Sequence, residues 1–339
     1  GLRTQQLLGL SSESLNALTT LQFAALKVTQ LPSLTSGQLL SLEQADLQAL
    51  STVQLGALSS VQMNYLSTVQ MGSLLTSQVR GLTTLQVGAL TSVNLNALGT
   101  SQFQALTTLQ VAALTTKQVF KMTTEQLVSL TTAQIANMET DDLAAITTAQ
   151  ITALKTAQIA AITTAQFAEL TTAQIAALTT AQLTALTTAQ VVALSTDQVI
   201  ALKTAQLAAL TTAQVAKMET DDLAALTTAQ IKALTTVQVV ALSTGEVNSL
   251  TTAQVAALTT AQLTALTTAQ VVALSTDQVA AITTAQISSL KTAQLTALTA
   301  TAQITALTTA QVVALTTAQM AALTTAQVAK METDDVAAI

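Results

Sequence analysis

Large apolar residues return along this chain at alternating steps of three and five, so the pattern closes every eight residues. We number the octad so that Leu178 falls on position 8. That position reads Leu, Ile or Met throughout, as at Met138, Leu154, Ile162, Leu170, Leu186, Leu194 and Met218. Position 5 is also always large and apolar, as at Leu7, Phe23, Met63, Ile135, Phe167, Val191 and Val336. One residue is inserted near Thr299-Ala300-Thr301, and the register resumes at Leu307 and runs to Ile339. Such internal periodicity governs every later inference about the fold. It implies that the insertion bulges outward while Leu298 and Leu307 stay buried.

Polar positions are equally regular. Position 4 is nearly always Gln, with Ser14, Asp46, Asn94, Asp142, Asp222, Glu246 and Asp335 as exceptions. Positions 1 and 2 are mostly Thr or Ser, and positions 6 and 7 are mostly small. Thr-x-x-Gln ahead of an apolar run is a capping-box signature: the hydroxyl takes the amide three residues on, and the Gln reaches back. Thr171 with Gln174 is one instance. Ala, Leu and Gln favour helix, while paired Thr suits a cap better than a helix interior. Each octad therefore reads as a short helix, roughly over 173–178 in this example, restarted at the next Thr.

A single long helix does not fit. Eight residues at about 100° each overshoot two turns by about 80°, so the apolar stripe would spiral around the axis. Short helices kinked at each Thr pair keep positions 5 and 8 on one seam. The pattern thus predicts an all-α solenoid with one short helix per repeat. The alternative is a β-solenoid, since Thr, Val and Ile suit strands and positions 3, 5 and 7 alternate. Position 8 has the wrong parity for that face, and most octads lack the Gly, Asn or Asp of tight corners.

The array has two regions. Over 1–130 the octads are individual, and position 3 is often large, as in Leu21, Val61, Leu85 and Leu109. Over 131–339 position 3 is usually Ala and neighbouring octads are near copies, as duplication of multi-octad blocks would produce. The unbroken register across 339 residues, with Pro32 as the one proline, points to a single continuous array. Gly1 begins in mid-pattern and Ile339 closes an octad, so a window from a longer protein is expected.

Composition narrows the function. Charged residues are 8% of the chain, against roughly 25% in a usual soluble domain. Net charge is -6 and the only arginines are Arg3 and Arg80, which argues against a nucleic-acid partner needing a basic face. Cys and His are absent, so disulfides, thiol catalysis and the common zinc sites are not expected. Every octad interrupts its apolar residues with Thr and Gln, so no membrane-spanning segment is expected. No base accompanies the many hydroxyls, and no enzyme activity or cofactor is expected.

Octads of the form Leu-Thr-x-x-Gln-Val-x-x-Leu, as in Leu178 to Leu186 with Leu at the Val position, resemble those of very long repetitive bacterial cell-surface and adhesin-like proteins. The resemblance spans essentially the whole chain and implies an extracellular structural role. It carries no catalytic residue across. Leu186-Thr187-Thr188-Ala189-Gln190-Val191-Val192-Ala193-Leu194 also looks like the first helix of the transcription-activator-like effector repeat. The base-reading loop and basic charge of that family are absent here, so the likeness supports only a helix start.

Carboxylates gather in three copies of one block: Glu139, Asp141 and Asp142; Glu219, Asp221 and Asp222; Glu332, Asp334 and Asp335. A weak calcium site is one reading, because hard cations take several oxygen ligands. The competing reading is that acids in a first helical turn answer its positive end, and Lys217 and Lys330 just upstream would oppose a cation. Rows of Thr are the other candidate, for ice or for O-linked sugar. The functional expectation is a structural fibre, stalk, sheath or adhesin shaft at the cell surface that associates with itself. A ligand-binding array for ice or calcium, or an intracellular length ruler, is the alternative.

Overall fold

The structure is a computed structural model that describes residues 2–299 and 301–339. Among the described residues it contains forty α-helices, one 3-10 turn and no strand. The α-solenoid is the fold and the β-solenoid is not. The chain divides into two compact units, residues 1–170 and 171–339. The change in side-chain character at 130 falls inside the first unit.

The octad Thr171 to Leu178 shows how the local sequence works. Its helix is Thr172–Ala177, with Thr171 as N-cap in extended geometry. The Thr171 hydroxyl accepts from Gln174 N at 3.2 Å, and Gln174 Oε1 accepts from Thr171 N at 2.8 Å. The capping box read from the sequence is therefore formed. The helix stops one residue short of expectation. Leu178 N–H bonds the Ile175 carbonyl three residues back at 3.2 Å, and Leu178 itself turns extended, at φ -55 and ψ 138. Position 8 is therefore the first residue of the link, although its side chain still lies in the seam.

This two-residue link explains why the chain bends without glycine corners. Position 8 and the next position 1 are both extended, and no described residue has positive φ. β-Branched Thr tolerates such geometry well. At Lys155 and Lys291, where position 1 carries no hydroxyl, the backbone N–H of position 4 turns to the backbone. Gln158 N bonds Lys155 O at 2.9 Å and Gln294 N bonds Lys291 O at 2.9 Å.

Within each unit, a helix packs on the helix three octads later. Ser60–Met63 meets Thr84–Ala89, which meets Thr108–Ala112, and in the second unit Thr204–Ala209 meets Thr228–Ala233. The core is the single seam of positions 5 and 8. Phe23, Phe103, Phe167 and Leu207 are fully buried, and Leu170 and Leu226 are nearly so. The first and last turns leave the seam partly open: Leu10 and Leu18 are half-buried, and Val336 is 48% exposed.

Two octads lose the α-helix. Pro32 at position 6 has no N–H to offer and would crowd the carbonyl four residues back, and Leu31–Ser33 forms a 3-10 turn instead. The nine-residue insertion repeat becomes turns over 301–306. Leu298 and Leu307 stay buried there, as the register implied. Ala300, where the outward bulge was expected, lies outside the described residues.

Candidate functional site

The feature that distinguishes this solenoid is a ladder of buried glutamines. Position-4 glutamines in the interior of both units are 6% exposed or less, as at Gln166, Gln190 and Gln238. Each amide does two things. Its oxygen closes the capping box of its own octad, and its nitrogen reaches the octad four repeats earlier. Gln38 Nε2 donates to Leu7 O at 3.0 Å and Leu10 O at 2.9 Å. Gln238 Nε2 donates to Leu207 O at 2.9 Å and Leu210 O at 2.6 Å, while its Oε1 accepts from Thr235 N at 2.7 Å.

The targets are the carbonyls that a short helix leaves open. The last turn of any α-helix has carbonyls without intrahelical partners, and helices this short consist of little else. Position 8 supplies a carbonyl with no partner in its own octad, position 5 one that accepts only the position-8 N–H there, and burial removes water as an alternative partner. Each octad thus depends on a later one to complete its C-terminus. Helix packing links octads three apart and the glutamine links octads four apart. A turn of the solenoid accordingly takes between three and four octads.

Position 6 adds a second strut at several Asn residues. Asn64 Nδ2 donates to Ala89 O at 2.7 Å, Asn96 Nδ2 to Lys121 O at 2.7 Å, and Asn248 Nδ2 to Ala273 O at 2.8 Å. Where it is Gly, the backbones approach instead. A Cβ on Gly88 would stand 2.6 Å from Ala113 O.

Sequence reasoning assigned position 4 to capping alone and missed the inter-turn bond. The signal was there. A capping box accepts Glu as readily as Gln, so near-exclusive Gln marks a place where the amide hydrogens are used.

The exceptions show the rule from the other side. Asn94 is too short to close its own box. Its Nδ2 still donates to Leu66 O at 3.2 Å, and Asn64 Oδ1 takes over the Thr91 N–H at 2.8 Å. Asp46, Asp142, Asp222, Glu246 and Asp335 are buried but bring no amide hydrogen. Burial pushes the Asp142 and Asp222 carboxyls above the usual aspartate range, the Thr116 or Thr196 hydroxyl partly opposes this, and neighbouring Glu and Asp add to it. Burial, then Glu43, raises Asp46 likewise. Thr116 Oγ1 donates to Asp142 Oδ1 at 2.9 Å, and Thr196 Oγ1 to Asp222 Oδ1 at 2.9 Å. Asp142 Oδ2 and Asp335 Oδ2 are buried with no partner.

The acidic blocks do not converge. Glu139 and Asp141 face solvent while Asp142 faces the seam, and Glu219, Asp221, Glu332 and Asp334 are exposed beside buried Asp222 and Asp335. Among the described residues no group of three or more acidic side chains is placed to hold a metal ion. No helix of the described residues is long and apolar enough to cross a membrane. A concavity at the first turn, lined by Leu2, Leu18, Gln22, Ala25, Leu26, Lys27 and Gln30, brings one cation and no acid–base pair.

Fold and ladder together define a tandem octapeptide-repeat α-solenoid. The family model described as the ALTTAQ repeat matches residues 39–76, 86–116, 135–172, 168–204, 215–252, 247–284, 292–325 and 300–333. The matches cover well over half of the chain, which belongs to the ALTTAQ repeat family. No curated protein matches it.

Proposed function

We propose that this chain is a structural shaft: a repeat solenoid in an extracellular fibre, stalk, sheath or adhesin that associates with copies of itself. The observation that carries the reading is the ladder. Buried bonds such as those of Gln38, Gln86, Gln238 and Gln286 fix each octad against an earlier one, so every repeat serves the array. In repeat proteins built this way, stability accumulates through neighbour contacts and length scales with copy number. A surface of hydroxyls with few Lys and Arg offers common proteases few cleavage sites. This reading needs no catalysis and no cofactor.

Self-association draws support from one surface. Val61, Leu85 and Leu109 sit at position 3 of three successive contacting helices and are 61%, 77% and 73% exposed. Contiguous exposed aliphatic side chains of this kind mark association surfaces. O-linked sugar, if added, would fall on position 2, because the position-1 hydroxyl is engaged in the cap. Electron microscopy of the purified chain and of a tandem duplicate tests the proposal. Slender particles whose length doubles are expected; compact particles of unchanged length would overturn it.

A further inference from the structure

We propose that the octad carrying Asp142 is an acid-tightened joint, and that the Asp222 octad, with the same Thr-to-Asp bond, is a second copy of it: protonation turns a buried carboxylate, set in register where a glutamine amide serves two carbonyls, into a donor able to take the place of that amide. The inference rests on the ladder geometry and is independent of where the protein works.

At regular octads the carbonyls of positions 5 and 8 receive a glutamine N–H from four octads later. For Asp142 those carbonyls are Val111 O and Leu114 O; for Asp222 they are Val191 O and Leu194 O. A carboxylate has no hydrogen to offer them. The Thr116 hydroxyl satisfies Asp142 Oδ1, and Asp142 Oδ2 remains buried with no partner. Asn94 shows that a side chain of this length reaches: from the same position its Nδ2 donates to the position-8 carbonyl of Leu66 at 3.2 Å. A neutral Asp142 has nearly the shape of Asn94. Its O–H can serve Leu114 O as the Asn94 amide serves Leu66 O.

The charged surroundings do not reverse this. Around Asp142 stand Glu139 and Asp141 on its own octad, Lys117 and Lys121 on the packed helix Thr116–Lys121, and Glu169 just past the packed helix Thr164–Ala168. All five are exposed. Around Asp222 stand Glu219 and Asp221, Asp197 on the packed helix Thr196–Ile200, Glu246 on the packed helix Thr244–Ser249, and exposed Lys217 and Lys232 on the flanking octads.

The sign follows from linkage. A carboxyl raised in the folded state binds its proton there before the unfolded chain does. Its favourable contribution is complete below the unfolded value and is lost as pH rises through the raised folded value. These octads should therefore tighten on mild acidification, each carboxyl changing the local opening constant by up to about tenfold per pH unit in that window.

Native-state hydrogen exchange of the full chain tests it, with rates corrected for intrinsic pH dependence. Protection of the amides over 139–146 is expected to rise as pH falls from neutral towards 4. Asp142→Asn should raise protection at neutral pH and flatten the profile, while Asp141→Asn should leave it unchanged. A wild-type profile that is flat or falls with acid, or one that Asp142→Asn leaves intact, overturns the proposal. If Asp142→Asn does not fold, carboxyl-carbon NMR titration of the wild type decides. A titration of Asp142 above that of Asp141 supports the joint, and one at or below it refutes it.

Discussion

Replacing Gln238 with Ala removes one rung of the ladder and nothing else of comparable size. The shortest bonds lost are Nε2 to Leu207 O at 2.9 Å, Nε2 to Leu210 O at 2.6 Å, and Thr235 N to Oε1 at 2.7 Å, with longer ones from Thr235 Oγ1 at 3.1 Å and to Ala208 O at 3.4 Å. Leu207 O keeps the Leu210 N–H at 3.1 Å. Leu210 O and Thr235 N–H are left bare. Each buried group stripped of its partner costs about 1–3 kcal/mol. Freeing the ordered Gln side chain returns up to roughly 2 kcal/mol of rotamer entropy. From the middle of the penalty range, about 4 kcal/mol for the two groups, the net local cost is about 2–4 kcal/mol, which is about 30- to 1000-fold in the opening constant.

A melting curve is the wrong assay, because a repeat array spreads a local defect over its neighbours. Hydrogen exchange resolved by octad is the right one. Amides over 203–210 and 235–242 should exchange faster, and those around Phe103 should not change. Gln104→Ala, at an exposed glutamine, is the matched control. Gln238→Glu separates the two jobs of the side chain: it keeps the capping acceptor but removes the inter-turn donor. It should loosen 203–210 nearly as much as Ala does while sparing the cap at Thr235. Exchange in Gln238→Ala no faster than in Gln104→Ala would refute the ladder as a source of stability.

Glu246→Gln should do the reverse, supplying Val215 O and Met218 O with donors and stabilising 211–218 by about 1–2 kcal/mol, read by the same exchange experiment. Thr235→Val should cost about 1 kcal/mol through loss of the N-cap, whereas Thr236→Val, one residue on at an exposed position, should stay within about 0.5 kcal/mol; chemical denaturation of a short array holding either change distinguishes them. Leu207→Ala should cost about 2–5 kcal/mol because that side chain is fully buried. Leu85→Gln with Leu109→Gln should leave stability unchanged but weaken self-association, measured by sedimentation velocity; an unchanged association constant would remove that surface from the proposal.

Much of this fold was legible in eight letters because helix starts are written locally. Thr171, Gln174 and the apolar spacing to Leu178 decide the cap, the helix and the seam within a few residues of each other. The link geometry was less legible. Leu178 reads as helical by composition, yet its N–H turns to Ile175 O and the residue extends, because the next Thr must adopt cap geometry. The inter-turn bond was not readable from local rules at all. Gln38 and Leu7 are 31 residues apart, and only the fold decides which carbonyl an amide will meet. The split within the acidic blocks was hidden for a related reason: Asp141 and Asp142 are adjacent in sequence but lie about 100° apart around a helix that exposes the first and buries the second.

The two irregular octads show that the glutamine contact survives without the α-helix. At Pro32 the α-helix is lost, yet Gln30 Oε1 still accepts from Lys27 N at 2.6 Å, and Gln62 Nε2 still donates to Leu31 O and Leu34 O at 3.2 and 3.0 Å. At the insertion the cap lengthens to a four-residue step, with Thr299 N on Gln303 Oε1 at 2.9 Å. Gln303 Nε2 nevertheless meets Leu274 O at 2.7 Å, and Gln311 after it finds Val279 O at 2.9 Å. The added residue is absorbed within its own octad, and the ladder resumes one residue out of step. These two octads forgo helicity and keep the glutamine contact, whereas the octads of Asp46, Asp142, Asp222 and Glu246 keep the helix without it. A chain built on that contact tolerates duplication of whole octads, since each copy arrives with its own strut and its own carbonyls to be met.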